Sequence, residues 1–296
     1  MIKELKQIKY NARKAIYQVY PLLACKQRYY WTYGEKINLE NPRTVDEKNI
    51  WLMYNRYKND QGIIDLIDKA RLYEIYCKDE KAKKYLNELY KVYDKASDIE
   101  WDKLPDKFVV KCNHGCGMNI FVRDKNTVDK EEIIRKLDRW MKEKQSMEFG
   151  GIQYKTIKPR IVCERFLDTP DGKPPVDYKL YCCNGHVEAV EVIVDRFENY
   201  HYVLVDREFK NLPFGKDSIN DEETIASLKP KNWPDFVEAA EYLSHKYPYV
   251  RVDLYDYEEK PLIGEMTFFP MDGVNGFFEM EGQLKLGEKV DIHYGE

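Results

Sequence analysis

The 296-residue chain contains no run of 18 apolar residues, so no segment reads as a membrane-spanning helix. Its start, MIKELKQIKYNARKAIYQVYPLLACKQRYYW, is charged throughout and lacks the continuous apolar core of a secretory signal. Internal repeats and low-complexity tracts are missing. No GxxxxGK[ST] loop occurs, which excludes a Walker-type phosphate site. No Ser–His–Asp order with a nucleophile elbow occurs either, so acyl-enzyme chemistry has no support. The seven cysteines (Cys25, Cys77, Cys112, Cys116, Cys163, Cys182, Cys183) are odd in number, and their spacings match neither a zinc motif nor a small disulfide scaffold. They read as reduced thiols of a cytosolic protein, with Cys116 a small packing residue rather than a nucleophile. The net charge of −4 removes the bulk electrostatic case for a nucleic-acid partner.

What is present is a composition of 43% hydrophobic and 34% charged residues, enough for a sizeable core in one or two domains. The 24 tyrosines suit half-buried strands and saccharide-facing surfaces alike. In the first thirty residues, Lys3, Lys6, Lys9, Arg13, Lys14, Lys26 and Arg28 face a lone acid, Glu4. Ile2, Leu5, Ile8, Ile16, Val19 and Leu22 are interleaved with them. The pattern fits a basic amphipathic helix on an anionic membrane surface, and it fits a docking helix with a solvated basic face.

Thr44 followed by Glu47 is a capping box that opens a helix at 45. Further helices are expected over 68–78, 130–145 and 234–246, the last with Pro234 in its first turn. Short strands are expected at 108–112, 120–124 and 159–167. DYKLYCCNGHVEAVEVIVDRF reads as a hairpin turning at Asn184-Gly185. The whole is α+β, with antiparallel sheets flanked by helices.

The chemistry concentrates in a second hairpin, 250–267. Alternation places Arg251, Asp253 and Tyr255 on one face of its first strand and Ile263, Glu265 and Thr267 together on its second. Two carboxylates on a shared face call for a cation between them, and oxygen-only ligands suit Mg²⁺. Ordinary surface ion pairs give the same pattern. Lys111 ends an apolar strand and opens the loop Asn113-His114-Gly115-Cys116-Gly117, whose backbone N–H groups suit phosphate oxygens; a plain hairpin turn with an edge lysine is the other reading. Glu164-Arg165-Phe166-Leu167 ends a strand where backbone groups could meet an adenine edge. Asp177 and Lys179 share a strand face, and Arg196 follows on the partner strand; these cations suit a transferring phosphoryl group or plain cross-strand pairing.

Taken in order, Asp68-Lys69, FVVKCNHGCG, CERFL, DYKLYCCNG, VDRF and RVDLY…IGEMTFFP resemble the TupA-like branch of the ATP-grasp superfamily, from about residue 41 to 288. The resemblance implies two α+β subdomains with antiparallel sheets gripping ATP between them, plus a helical N-terminal region. The expected divisions are 1–60, 61–163 with the Gly-rich loop, and 164–296 with hinge and metal ligands. By position, Lys69 and Lys111 resemble the phosphate-binding lysines, and 113–118 the flap over the phosphates. Glu164 to Leu167 resemble the adenine hinge, with Asp168 or Asp171 a ribose contact. Lys179, Arg196 and Arg251 resemble the cations at the reacting phosphate and carboxyl group. Asp253, Glu265 and Thr267 resemble the Mg²⁺ ligands, although Thr267 stands where asparagine is common. Pro270-Met271-Asp272-Gly273 replaces the family's PGG segment. The implied activity is an ATP- and Mg²⁺-dependent carboxylate–amine ligase acting on a uronic acid or amino acid component of a surface polysaccharide. The alternatives are a phosphotransferase on the same site and a glycan-binding protein with a decayed nucleotide site. No nucleic acid is expected, and the location expected is cytoplasmic, with the charge of the basic N-terminus suited to a peripheral contact at the inner membrane face.

Overall fold

The computed structural model describes residues 15–143, 151–169, 172, 174–194 and 201–296. Arg196, Asp171 and the basic residues before position 15 lie outside these, so the expectations placed on them have no structural counterpart.

Local signals account for the helix starts. Thr44 accepts from the Glu47 amide at 3.1 Å while the Glu47 carboxylate accepts from the Thr44 amide at 3.0 Å, the reciprocal capping box. Helix Val45–Trp51 follows, then a π-helical turn Leu52–Arg56. The helix expected over 68–78 is Lys69–Tyr76, and a further short helix that the sequence reading does not anticipate, Gln61–Ile67, precedes it. Asp68 explains the break: extended at ψ 110°, it ends the first helix and caps the second through the amides of Ala70 and Arg71. Lys69 is thereby the first residue of a new helix. Helices Lys130–Lys142 and Trp233–Ser244 lie close to their expected positions.

Nine strands form two antiparallel sheets among the described residues. The first orders β1 (Leu89–Tyr93), β4 (Ile161–Arg165), β2 (Phe108–Cys112) and β3 (Asn119–Val122). The second orders β7 (His201–Val205), β6 (His186–Val194), β5 (Asp177–Cys183), β8 (Tyr249–Tyr257) and β9 (Lys260–Thr267). The β5–β6 turn is Asn184-Gly185 as read from sequence, both at positive φ (51° and 80°). Two cores result. The first sheet packs with helix Lys130–Lys142 around Phe108, Val110, Leu137 and Ile161. The second sheet shares its core with the helices between 21 and 85 and with helix Trp233–Ser244. All seven cysteines are free thiols, five of them buried.

A buried polar chain ties the N-terminal helices to the segment after β9. Asp46 accepts from Tyr33 at 2.7 Å and from the Asn275 amide at 2.8 Å, and Gln283 donates to Tyr33 at 2.6 Å. Burial pushes the Asp46 carboxyl up to about 7 against these hydrogen bonds. Outside the core, Ile16, Val19, Tyr20, Leu23, Tyr30 and Trp31 leave an exposed apolar stripe along residues 16–31. No helix among the described residues is long and apolar enough to cross a membrane.

Candidate active site

The β8–β9 hairpin builds the floor of the site. Its turn is tight: Tyr257 pairs with Lys260, and only Glu258 and Glu259, both at positive φ, make the turn. A bulge at Gly264 changes the register, so Asp253 pairs with Glu265 but Leu254 with Ile263. The expectation that Ile263 shares the face of Glu265 and Thr267 is therefore wrong. The extra residue sends Ile263 to the core side and keeps Glu265 opposite Asp253. A Cβ at 264 would stand 2.9 Å from the Tyr255 ring, so a larger residue there would have to displace that side chain.

Across the sheet, Glu191, Lys179, Asp253 and Glu265 stand in register on β6, β5, β8 and β9. Arg251 and Thr267 pair in the neighbouring row. Arg251 holds Asp253 with two hydrogen bonds, Nε to Oδ1 at 2.6 Å and Nη2 to Oδ2 at 2.7 Å. Lys179 Nζ reaches Asp253 Oδ2 at 2.7 Å and Asp177 Oδ2 at 3.0 Å. All four groups are buried, where an unpaired charge would be costly, so each cation is matched to a carboxylate. Glu265 is the more open carboxylate. Thr267 donates to its Oε1 at 3.1 Å and itself accepts from Arg251 at 3.3 Å. Burial alone would raise the Glu265 carboxyl, but Lys69, Arg251 and Lys179 outweigh it and hold it down at about 2.

The roof comes from the first sheet and the helix at Lys69. Lys111 on β2 pairs with Glu164 on β4, and Lys69 Nζ lies 3.6 Å from Glu265 Oε2 while donating to Gly115 O at 3.0 Å. Lys69, Lys111, Glu164 and Glu265 thus line one narrow recess of about 30 Å³, with Leu86 and Leu89 as apolar wall. The helix that carries Lys69 is anchored by Arg160, which reaches Asp68 at 3.4 Å and Glu74 at 3.1 Å. Nothing in the linear order marks Arg160; its role comes from packing across 92 residues.

Several expected site residues point elsewhere. The Asn113 side chain donates to Lys158 O at 3.0 Å and accepts from the Arg160 amide at 2.6 Å, so it anchors the loop. His114 is buried, with Nε2 against the carbonyls of Trp140 and Glu143 at 3.2 and 3.1 Å. Both side chains turn into the fold, leaving Gly115, whose carbonyl accepts from Lys69, and an exposed tip at Cys116-Gly117. Gly117, at φ +70°, faces open space. Arg165 spends its amide on Glu88 O and its carbonyl on Asn87, and its guanidinium lies 5.1 Å over the Tyr257 ring. Phe166 packs edge-on to Phe121, Leu167 is half-buried, and Asp168 is exposed and paired with Lys107. Tyr154, absent from the sequence reading, also belongs here. Burial pushes its phenol well above its usual value, and Cys116, Glu265, Asp272 and Arg251 all act on it.

Of the two expected carboxylate donors, Glu265 is open to a cation, whereas Asp253, both of whose oxygens Arg251 and Lys179 engage, would have to share one of them with Mg²⁺. Asp253 and Glu265 face each other in register, and Mg²⁺ takes one or two carboxylates with water and substrate phosphates filling its octahedron. Among the described residues no three His, Cys, Asp or Glu groups converge as a cage, so the remaining ligands would have to come from substrate or water.

The model of one protein family, described as TupA-like ATPgrasp, matches residues 47–291. No curated protein matches the chain with significance. Among solved structures, a D-alanine–D-alanine ligase from Bacillus anthracis complexed with ATP superposes with a TM-score of 0.43 at 17% identity, covering 78% of this chain and 62% of that one. The corresponding ligase from Helicobacter pylori gives 0.41 at 14% identity, with 83% and 69% covered. The ATP-grasp ligase PsnB with minimal precursor, Mg and ADP gives 0.38 at 10%, with 82% and 64% covered. The chain thus spans about three fifths of the length of the Bacillus anthracis ligase it matches.

Proposed function

The chain belongs to the TupA-like ATP-grasp family, and on that footing we propose that it is an ATP-dependent carboxylate–amine ligase working through an acyl phosphate. The observation that carries this reading is the floor in which Arg251 and Lys179 grip Asp253 while Glu265, ionised and open, faces Lys69. Phosphoryl transfer needs positioning and charge neutralisation more than covalent chemistry, and a floor of alternating fixed charges supplies both.

The roles follow from position. Lys69 and Lys111 bind phosphate oxygens, exchanging their present partners, Gly115 O and Glu164, for a stronger anion. The exposed tip Cys116-Gly117 offers backbone amides from above. Residues 164–168 border the base and ribose. Asp253 and Glu265 would hold Mg²⁺, which when bound neutralises phosphate charge; Thr267 orients Glu265. Arg251 then faces the substrate carboxylate. One carboxylate oxygen attacks the γ-phosphorus and ADP leaves. The amine then attacks the acyl carbon, the C–O bond to phosphate breaks, and inorganic phosphate departs. Arg251 and Lys179 stabilise the negative charge on the acyl oxygen.

The carboxylate we infer is a uronic acid or amino acid, and the amine an amino acid, joined on a surface-glycan precursor. ADP release from the purified protein across paired panels of uronic acids and amino acids tests this. Release that needs both partners and matches amide formed supports a ligase, whereas an amine-independent phosphorylated product makes it a phosphotransferase. Lys111→Ala is expected to raise the Kd for Mg·ATP about tenfold or more, since a charge-assisted phosphate contact contributes on the order of 1.5–3 kcal/mol. Calorimetry checks it, and an unaltered Kd removes Lys111 from the nucleotide site.

The exposed stripe at Ile16, Val19, Tyr20 and Leu23, beside Lys26, Lys58 and Lys155, supports a peripheral contact with an anionic inner membrane face. Co-sedimentation with phosphatidylglycerol vesicles is the measurement; protein left wholly in the supernatant ends that idea.

A further inference from the structure

Three separate stretches of the chain enclose a groove of about 760 Å³. Pro21 biases the residue before it away from helical geometry, and the chain breaks at Tyr20, with ψ 67°. Helix Pro21–Tyr33 starts at that break, and its first turns give Leu22, Leu23 and Lys26 to one wall. Tyr54 of the π-helical turn and Lys58 beyond it make the second wall. Ile152 and Lys155, around the 3₁₀ turn Gln153–Thr156, make the third. The walls are fastened to one another. Buried Gln153 donates to Met53 O at 2.8 Å and to Tyr57 O at 3.2 Å. Cys25 Sγ lies 3.8 Å from the Tyr54 hydroxyl, which ties the first wall to the second. A groove stitched together in this way is preformed, so a ligand entering it orders little of the protein.

Its lining has two parts. Leu22, Tyr54 and Ile152 are half-buried and pack on the main core, so they form a firm apolar floor. Val19 and Tyr20, 68% and 66% exposed, continue that apolar surface outward. Lys26, Lys58 and Lys155 line the same groove and are exposed. None of their three ammonium groups meets a carboxylate or any other hydrogen-bond partner among the described residues. Surface lysines elsewhere, such as Lys91, Lys107 and Lys158, each sit on a carboxylate. No Asp or Glu is among the described residues that line the groove.

Three cations around an apolar floor, with no acid among them, match an anion that carries its own hydrocarbon. We propose that the groove binds one single-chain lipid phosphate drawn from the membrane, with the lysines on its phosphate oxygens and its chain lying over Leu22, Tyr54 and Ile152. The volume is that of a site for one small molecule, so the ligand is an individual lipid rather than the bilayer surface as a whole. The inference rests on the membrane contact proposed above and not on the ligase chemistry. Other occupants match less well. The first 14 residues hold Lys3, Lys6, Lys9, Arg13 and Lys14 against Glu4, and the groove lysines would repel them. A second copy docked about a twofold axis would set lysine against lysine. A soluble polyanion would leave the apolar floor in water.

Calorimetric titration of the full-length protein with n-dodecyl phosphate, kept below its micelle concentration, tests the site. Saturable binding of one molecule per chain is expected. Octyl phosphate should bind about tenfold more weakly or worse, because each buried methylene is worth about fourfold in affinity. In the triple variant Lys26→Glu/Lys58→Glu/Lys155→Glu the Kd for dodecyl phosphate is expected to rise about tenfold or more, at an unchanged melting temperature because all three side chains are exposed. Charge reversal at Lys95, Lys136 and Lys142, exposed elsewhere, controls for bulk charge and should shift the Kd less than about twofold. No binding of dodecyl phosphate, equal affinity for dodecyltrimethylammonium or dodecyl maltoside, inorganic phosphate bound as tightly as the dodecyl ester, an unchanged Kd in the groove variant, or an equal rise in both triple variants overturns the inference. Phosphatidylglycerol vesicles separate it from the reading on which it rests. Wild-type protein that sediments with vesicles but fails to bind dodecyl phosphate keeps the membrane contact and loses the lipid site. Protein that binds dodecyl phosphate but stays in the supernatant removes the membrane as the source and overturns both. The ligase reading is untouched by either result, since no turnover is measured.

Discussion

Glu265→Gln is expected to lose about three orders of magnitude or more in ATP-dependent turnover while keeping its fold. The substitution is nearly isosteric. Thr267 can still donate to the remaining carbonyl oxygen, and the partial exposure of the side chain makes an uncharged amide inexpensive. What disappears is an ionised, open oxygen pair at the cleft, held at about 2 by Lys69, Arg251 and Lys179. Without it those three cations face one another less well screened, and Mg²⁺ would have only Asp253 to hold it, both of whose oxygens are engaged by Arg251 and Lys179. A metal ion supplies several kcal/mol of charge stabilisation at a phosphoryl oxygen, and each 1.36 kcal/mol is tenfold in rate; a loss of about 4 kcal/mol is about a thousandfold. Steady-state ADP release with a parallel thermal melt decides it. Turnover near the wild-type rate in Glu265→Gln would falsify the metal assignment.

Arg251→Met produces the second large effect, and it strikes stability as well as activity. Arg251 meets both oxygens of Asp253, and only 3% of that aspartate is exposed. Removing one partner of a buried pair leaves an uncompensated charge and costs about 3–5 kcal/mol. Because Lys179 remains at 2.7 Å, the low end of that range is expected. Turnover should fall about 10²–10³-fold, the usual loss when one donor to a developing oxyanion is removed. The two consequences separate in the double variant Arg251→Met/Asp253→Asn. With the buried charge gone, most of the lost stability returns, because the energies of contacting residues are not additive, but activity does not. Urea midpoints and ADP release on the wild type, the two single variants and the double variant complete the cycle. If the double variant is no more stable than Arg251→Met, the cluster is not held by this pair.

Local signals were readable wherever the physics is local. The Thr44–Glu47 box, the Asn184-Gly185 turn and the alternation that puts Arg251 and Asp253 on one strand face all survive in the structure. Failures occur where a single residue breaks a period or a distant element competes for a side chain. Gly264 shifts β9 by one residue and moves Ile263 to the core. Gln61–Ile67, a helix too short to stand out as a period, goes unread before Asp68, which ends it and caps the expected helix that follows. Asn113 and His114 look like phosphate-loop residues until Lys158, Arg160 and the end of helix Lys130–Lys142 claim their polar atoms.

From the sequence by itself, period-2 patterning and turn chemistry determined the α+β class, and the ordered string of motifs carried the resemblance to the TupA-like ATP-grasp family that the family match bears out. These depend on neighbours a few residues apart, whose relative placement the backbone dictates. Only the tertiary structure decided which charges meet. Lys69 reaches Gly115 across 46 residues, Lys179 reaches Asp253 across 74, and Gly151 presses on Asp272 from a different part of the chain. A buried charge takes whichever partner the packing delivers, because leaving it alone in a low-dielectric interior is too costly, and linear order carries no record of that choice.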